Sequence, residues 1–433
     1  MPMPIRRRLA SACSRVRARS FGVAAASQSA DWLFPVPTHF GPGRAAELPS
    51  LLAGLGASRP LLVTDEALGA TPLVARLVAS LREAGVVVRV FDEVKANPTD
   101  VNVRAGAAAF RAHGADSLVA VGGGSGLDAG KLIAMVANTG LDLLEVEWTV
   151  ATPAAVAPGA IPPVITVPTT AGTGAEMDSA SMYTDTAAGI KRCACHPACA
   201  VTVLADPELT LSLPPHLTAW TGMDALTHAL EALFVDAYHP MCDAVAIEAA
   251  RAVRDWLGAA YARGGTDVEA RSQMMAASSM AAVAFQKGLG ATHGLSEPLG
   301  AVYDVQHGLA NAVLLPYVLV LNRHAIEGKC ALLARALQLP TGGAGGGDGG
   351  DAAAFDAVLD WVLALGAELR IPRSLAEIGI SADLGDAEFA AMGAKAAANP
   401  TGSTNPVALD AADYEKLFRA ALAGTPPREF SLL

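Results

Sequence analysis

Asp224 and His228 stand four residues apart in the segment Gly222-Met-Asp224-Ala-Leu-Thr-His228-Ala-Leu-Glu231-Ala-Leu-Phe234. On a helix that spacing puts a carboxylate and an imidazole on one face, where both can reach one divalent ion. Leu226, Leu230 and Leu233 line another face. Many helices carry such a pair as a solvated or hydrogen-bonded face, so the pair alone decides nothing. A second segment changes this. Residues 288–311 hold His293 and His307 in Gly-rich, apolar surroundings, with Glu297 between them. A lone histidine there is most often a satisfied core residue. Together the two segments can supply one carboxylate and three imidazoles. That set suits Fe(II) or Zn(II) and leaves room for a substrate oxygen.

A different chemistry is offered at Gly122-Gly123-Gly124-Ser125-Gly126-Leu-Asp128, which follows the apolar run Ser117–Val121. Glycines at a strand-to-helix junction let the backbone approach a phosphate, and the N–H groups of the following helix stabilise its charge. Gly124-x-Gly126-x-x-Ala129 fits a degenerate dinucleotide fingerprint. Gly130-Lys131 does not end a Walker A loop, because Ser125 and Leu132 stand where Gly and a hydroxyl residue belong. A plain tight turn explains the glycines less well than phosphate binding does. A second polar loop, Pro168-Thr169-Thr170-Ala-Gly172-Thr173-Gly174-Ala-Glu176, also follows an apolar run and suits a nucleotide.

These loops need a scaffold. Apolar, β-branched runs at 60–65, 86–91, 117–121, 163–168 and 200–205 read as strands. Helical stretches at 68–84, 100–113 and 126–138 separate the first of them. Near-continuous apolar strands alternating with helices predict a parallel sheet covered on both faces. After about residue 210 the texture becomes helical, at 214–234, 241–262, 267–287, 306–337, 353–369 and 411–422. The expected organisation is an extension at 1–30, an α/β dinucleotide-binding domain at 31–209 and an all-helical domain at 210–433. The run at 342–350 reads as a flexible glycine loop.

Composition sets the outer limits. The chain has 433 residues, is 52% hydrophobic and 17% charged, and carries a net charge of −11. That balance fits a folded enzyme and gives no electrostatic attraction to nucleic acid or anionic membrane. Small molecules are the expected partners. Six cysteines form no disulfide framework in a chain this long. Cys193-Ala-Cys195-His196-Pro-Ala-Cys199 looks like a metal knuckle, but its first pair is C-x-C and no second pair follows, so reduced thiols are the better reading. The first 30 residues hold six arginines and no acid, as in an organelle transit peptide. A cytoplasmic location is otherwise expected.

Taken in order, these segments resemble the iron-containing (group III) alcohol dehydrogenase family from about residue 32 to 422. The resemblance rests on Gly-Gly-Gly-Ser with Asp128, Pro-Thr-Thr-Ala-Gly-Thr-Gly-Ala-Glu, Gly-Met-Asp-Ala-Leu-Thr-His-Ala-Leu-Glu and His293-x13-His307-Gly-Leu-Ala-Asn311. It implies a dehydroquinate synthase-like architecture with a metal in the cleft between two domains. It also implies ligands Asp224, His228, His293 and His307, with pyrophosphate on Gly123, Gly124 and Ser125. Thr169, Thr170 and Thr173 would line the nucleotide site, and Asn97 and Lys191 would face the cofactor, Lys191 at its ribose. Asp65, at the end of the first strand, favours NAD over NADP, because a carboxylate accepts from a ribose hydroxyl and repels a 2′-phosphate. The implied reaction is hydride transfer between NAD(P)(H) and a small alcohol, aldehyde or ketone, on Fe(II) with Zn(II) as the alternative, in a homodimer or larger homo-oligomer.

Two positions depart from the family pattern. Glu297 stands where many members carry His, and Val407, after Asn405-Pro406, replaces a common Arg. Glu297 could relay protons, select a substrate, or orient a ligand; an altered substrate range is the expectation. Other chemistries of this architecture stay open: a cyclase, which needs a basic cluster the helical half lacks near the ligands; maleylacetate-reductase-like reduction; hydroxyacid transhydrogenation; and, from another class, metal or nucleotide binding without catalysis.

Overall fold

A computed structural model describes residues 36–150, 155–341 and 349–431. The extension at 1–30 and residues 342–348 of the glycine run lie outside the described residues.

The first half builds one six-stranded sheet. Its strands are β1 (Thr38–Phe40), β2 (Pro60–Asp65), β3 (Arg89–Val94), β4 (Ser117–Gly122), β5 (Val164–Pro168) and, after a hairpin, β8 (Val201–Ala205). The order is β1-β8-β5-β4-β2-β3, and every pairing is parallel. Connections run through α1 (Leu48–Gly54), α2 (Glu66–Gly69), α3 (Pro72–Glu83), α4 (Asp100–His113) and α5 (Gly124–Ala137). Alternation along β2 divides the two cores: Leu61 and Val63 pack with Phe91, Phe110 and Ile133, whereas Leu62 packs with Leu48, Leu77 and Val119. Fully burying one such side chain contributes about 1.5–3 kcal/mol, so covering both faces is what stabilises the sheet.

Strand β3 starts three residues later than its apolar run suggests. Gly85 takes φ 81, and the Val86 N–H donates to the Leu81 carbonyl at 2.9 Å. Residues 86–88 are therefore spent on leaving α3, and pairing with β2 begins at Arg89. The antiparallel hairpin β6 (Ser181–Asp185) and β7 (Ile190–Ala194) has no counterpart in the sequence reading. Its strands are short and carry Thr184, Asp185, Lys191 and Arg192, too polar to stand out as apolar runs.

The second half is helical: α6 (Pro215–Phe234), α7 (Pro240–Arg263), α8 (Val268–Phe285), α9 (Ala291–Tyr303), α10 (His307–Ala336), α11 (Gly349–Glu368), α12 (Asp386–Ala397) and α13 (Ala411–Ala423). Helix α10 is long and apolar enough to cross a bilayer, but most of that stretch is buried in the protein. Its Leu315 and Leu319 join the core under α6, α7 and α8, and its Leu314 and Tyr317 join the core with α12 and α13. Helix α9 forms despite Gly294, Pro298 and Gly300 inside it. Helical propensity is against it, so tertiary packing must hold it. A Cβ at Gly294 would meet the Tyr414 hydroxyl, so the glycine leaves room for the Tyr414 side chain of α13 against α9.

Candidate metal centre and nucleotide cleft

Strands β2 and β4 are neighbours, yet the strands joined onward from them, β3 and β5, lie on opposite sides. That reversal opens a crevice at the carboxyl ends of the strands, the ordinary place for a nucleotide. Asp65 ends β2 there, and Gly123 begins the turn after β4. Helix α5 starts at Gly124 with no side-chain cap, leaving its first N–H groups to a ligand. A Cβ on Gly124 would sit 2.9 Å from the Thr173 methyl, and one on Gly123 would sit 3.2 Å from that of Thr170. The two polar loops are thus stacked because the glycines have no side chains. Thr169 is buried, and its N–H donates to the Gly122 carbonyl at 2.9 Å.

Lys131 fixes this stack from beneath. It is fully buried, donates to the Ala175 carbonyl at 2.6 Å and to that of Ala180, and lies 3.3 Å from Asp128. The Asp128 carboxylate accepts from the Met182 N–H at 3.1 Å. Burial nonetheless pushes Asp128 up to about 6, against the pull of Lys131. The other nucleotide-side residues have protein partners. Asp65 accepts from the Leu68 N–H at 2.8 Å, and Ser125 donates to the Ala96 carbonyl. The Asn97 amide donates to Asp304 at 2.6 Å, across to the helical half. Lys191 on β7 lies 3.1 Å from Glu297 on α9.

The helical wall of the cleft is built from three pairs at i and i+4: Asp224 with His228 on α6, His293 with Glu297 on α9, and His307 with Asn311 on α10. One ligand atom from each of Asp224, His228, His293 and His307 falls within 4.8 Å of the others. Among the described residues they form the one such group of histidine, cysteine and carboxylate side chains. Cys193, Cys195 and Cys199 do not assemble one, and all three are free thiols. The His228 and His293 rings stack at 4.6 Å between centroids. Asp224 Oδ1 stands 3.6 Å from His307 Nε2 and 4.0 Å from His228 Nε2.

Electrostatics fit a cation. Burial drives His228 down to about 4 and His307 well below the usual imidazole value, so both offer lone pairs. Burial penalises charge on Asp224, yet the three imidazoles outweigh that penalty and hold its carboxyl below the ordinary range. Burial also works against a charged His293, but Glu231 overrides it and raises the group. The His293 Nδ1 lies 2.6 Å from Glu231 Oε2, so the Nδ1–H tautomer is held there and Nε2 is left for the centre. The same carboxylate accepts from the N–H groups of Gly290 at 3.0 Å and Thr292 at 2.7 Å, at the start of α9. Glu231 therefore places His293 twice, through the ring and through the helix terminus. Glu231 and Asn311 stand within the quoted motifs, but the sequence alone gives neither a role.

The two walls touch. A Cβ at Gly172 would lie 2.6 Å from the backbone oxygen of Thr221, one turn before Asp224, so the second polar loop packs directly on the ligand helix. A nucleotide over the glycine stack and an ion at Asp224 would share one cleft.

Known proteins agree with this arrangement. The family model for iron-containing alcohol dehydrogenase matches residues 35–207, and that for the C-terminal part of the Fe-containing alcohol dehydrogenase family matches residues 218–422. The 4-hydroxybutyrate dehydrogenase of Cupriavidus necator is 38% identical over 397 residues, 89% of this chain and 97% of that protein. The NAD-dependent methanol dehydrogenase of Bacillus methanolicus is 37% identical over 309 residues, 71% of this chain and 80% of that one. The crystal structure of a 1,3-propanediol oxidoreductase superposes with a TM-score of 0.82 at 34% identity, covering 90% of this chain and 99% of that one. With both halves matched and the cleft assembled between them, the chain belongs to the iron-containing alcohol dehydrogenase family.

Proposed function

We propose that the protein is a metal-dependent, NAD-linked oxidoreductase that interconverts a small alcohol and its aldehyde or ketone. One observation carries the reading: a buried carboxylate and three imidazoles from α6, α9 and α10 converge on one point, and α6 packs against the loop that faces the uncapped start of α5. When bound, the ion supplies Lewis acidity toward a substrate oxygen, and the nicotinamide gives or accepts the hydride.

The remaining work falls to the chain. Burial keeps His228 and His307 neutral, and Glu231 fixes the His293 tautomer. Gly123 and Gly124 would let backbone N–H groups approach a bound pyrophosphate, while Lys131 holds the facing loop in place. Glu297 is matched by Lys191, so the pair presents no net charge. Such a lining favours an uncharged hydroxyl or carbonyl compound over a cation. Asp65 at the end of β2 favours NAD, because its carboxylate repels a 2′-phosphate. The NAD dependence of the related methanol dehydrogenase supports the same choice.

Cofactor preference is tested by titrating NAD and NADP separately into wild type and Asp65→Ser. Tighter NAD binding that narrows in the variant supports the reading; equal affinities in wild type contradict it. Turnover of short alcohols, diols and aldehydes then ranks the substrates.

A further inference from the structure

His293 lies in the first turn of α9, and the helix cannot cap that turn itself, because its N-cap residue is Gly290. Two side chains from elsewhere take up the free N–H groups. Glu231 accepts from Gly290 and Thr292, and Asn405 Oδ1 accepts from the Ala291 N–H between them at 3.0 Å. A Cβ at Gly290 would sit 2.7 Å from Glu231 Oε1 and 3.0 Å from Asn405 Oδ1, so both acceptors close on the glycine.

Asn405 is itself held on every side. It follows the 3-10 turn Pro400–Thr404, and Pro406 favours the extended backbone that Asn405 adopts, φ −59 and ψ 138. Its amide donates to the Val407 carbonyl at 2.7 Å and to Asn322 Oδ1 at 2.8 Å. Its Oδ1 accepts in turn from the Asn322 amide at 2.8 Å. Both N–H groups and both lone pairs of the Asn405 amide are therefore used. A backbone N–H only donates and a backbone carbonyl only accepts, so Ala291 and Val407 settle which end of the amide is oxygen. Asn322 is buried in the middle of α10, the helix that begins with His307. Helix α9 is thus fastened to α10 at both ends, by the short chain 304–306 and by the Asn405–Asn322 pair at its start. Residue 407 contributes its backbone carbonyl, so the valine there leaves the tie intact.

We propose that Asn405 is a positioning residue of the metal centre: locked by Asn322, it holds the first turn of α9 together with Glu231 and so keeps His293 in register with Asp224, His228 and His307. A fully paired amide network specifies one arrangement of the helices it joins. Asn405 acts through α9, on the ring that α9 carries.

This role rests on the metal-dependent reading above. Full-length protein freed of metal is titrated anaerobically with Co(II) against a competing chelator, and its visible spectrum and melting temperature are recorded. The variants are Asn405→Ala, Asn322→Leu, which keeps the volume, and the two combined. Leu359→Ala, in the core of α11 away from the ligand helices, controls for stability alone. Asn405→Ala should lose about tenfold or more in Co(II) affinity and shift the visible bands, which report ligand geometry. Asn322→Leu should change both in the same direction, and the double variant should be no worse than Asn405→Ala, because the two residues act in series. Leu359→Ala should melt lower yet keep wild-type affinity and bands. Wild-type affinity and bands in Asn405→Ala, or in Asn322→Leu where the first variant does not fold, overturn the proposal alone. So do losses that merely follow melting temperature, in Leu359→Ala as in the others. Wild type that takes up neither Co(II), Fe(II) nor Zn(II) overturns the metal-dependent reading and the proposal with it.

Discussion

Lys191 Nζ and Glu297 Oε2 lie 3.1 Å apart across the cleft, one on the hairpin of the α/β half and the other on the helix that carries His293. Both side chains are largely shielded from water, at 9% and 6% exposure, and the other Glu297 oxygen lies 3.6 Å from His307 Nδ1. Removing one partner of such a pair strands a buried charge, which costs about 3–5 kcal/mol, whereas removing both costs much less. Lys191→Met and Glu297→Gln should each lower stability in denaturant, and the double variant should recover most of the loss. Additive losses would show that the two charges are not coupled.

Glu297→His restores the residue common in the family and releases Lys191 from its partner. The order of preferred alcohols and aldehydes should change, because a carboxylate and its counter-ion leave the wall beside His307. A specificity profile identical to wild type would count against any role for Glu297 in substrate choice.

Glu231 holds His293 and the first turn of α9 with one carboxylate. Glu231→Gln keeps the shape but loses the charge, and its amide can no longer accept at both oxygens. Metal affinity should fall about ten- to a hundredfold, read by chelator competition, with the ion-free protein also less stable. Unchanged affinity would mean that the His293 ring is oriented by packing alone.

Gly308 shows how close the ligand helices approach. A Cβ there would run into the Trp220 carbonyl oxygen and lie 3.1 Å from the Asp224 Cβ. Gly308→Ala should push the start of α10 away from α6, cost about 1–3 kcal/mol, and weaken ion binding by separating His307 from Asp224. Full stability with weakened binding would place the strain in the site rather than the core.

Glu176 closes the second polar loop and is buried, which pushes its carboxyl up to about 7, with a Ser279 hydroxyl at 3.3 Å as a minor counterweight. Its folded value lies above its unfolded value of 4.5. The folded state therefore binds the extra proton between them, and stability falls as pH rises from about 4.5 through 7. The difference amounts to about 3 kcal/mol. Glu176→Gln should remove that slope and stabilise the protein at pH 8, as followed by thermal unfolding across pH. A slope that persists in the variant would assign it to other groups.

Part of this site is legible in the sequence, and the division has physical causes. The Asp224–His228 pair is visible because helical spacing fixes which side chains share a face. The glycine stack is visible because only glycine permits that approach. Glu231 is harder to read: it shares the ligand helix, but its partners lie about sixty residues further on. Asn311 carries no charge and follows His307 by one turn, a spacing that gives position without role. Lys191 has a place in the family pattern at the ribose, whereas its contact with Glu297 depends on how hairpin β6–β7 docks on α9. Strand and helix types are readable wherever apolar periodicity is long. Helices α9 and α12 are not: α9 carries Gly294, Pro298 and Gly300 against its propensity, and the many small Ala side chains of α12 give it little apolar periodicity.

The four-residue cluster is proposed to hold an ion needed for hydride transfer. The most direct test is nicotinamide absorbance during turnover, before and after chelation, with Fe(II) or Zn(II) restored anaerobically. Activity should be lost on chelation, recovered with Fe(II), and absent from folded His228→Ala or His293→Ala protein under either condition. Full turnover by the chelated, ion-free enzyme would contradict it.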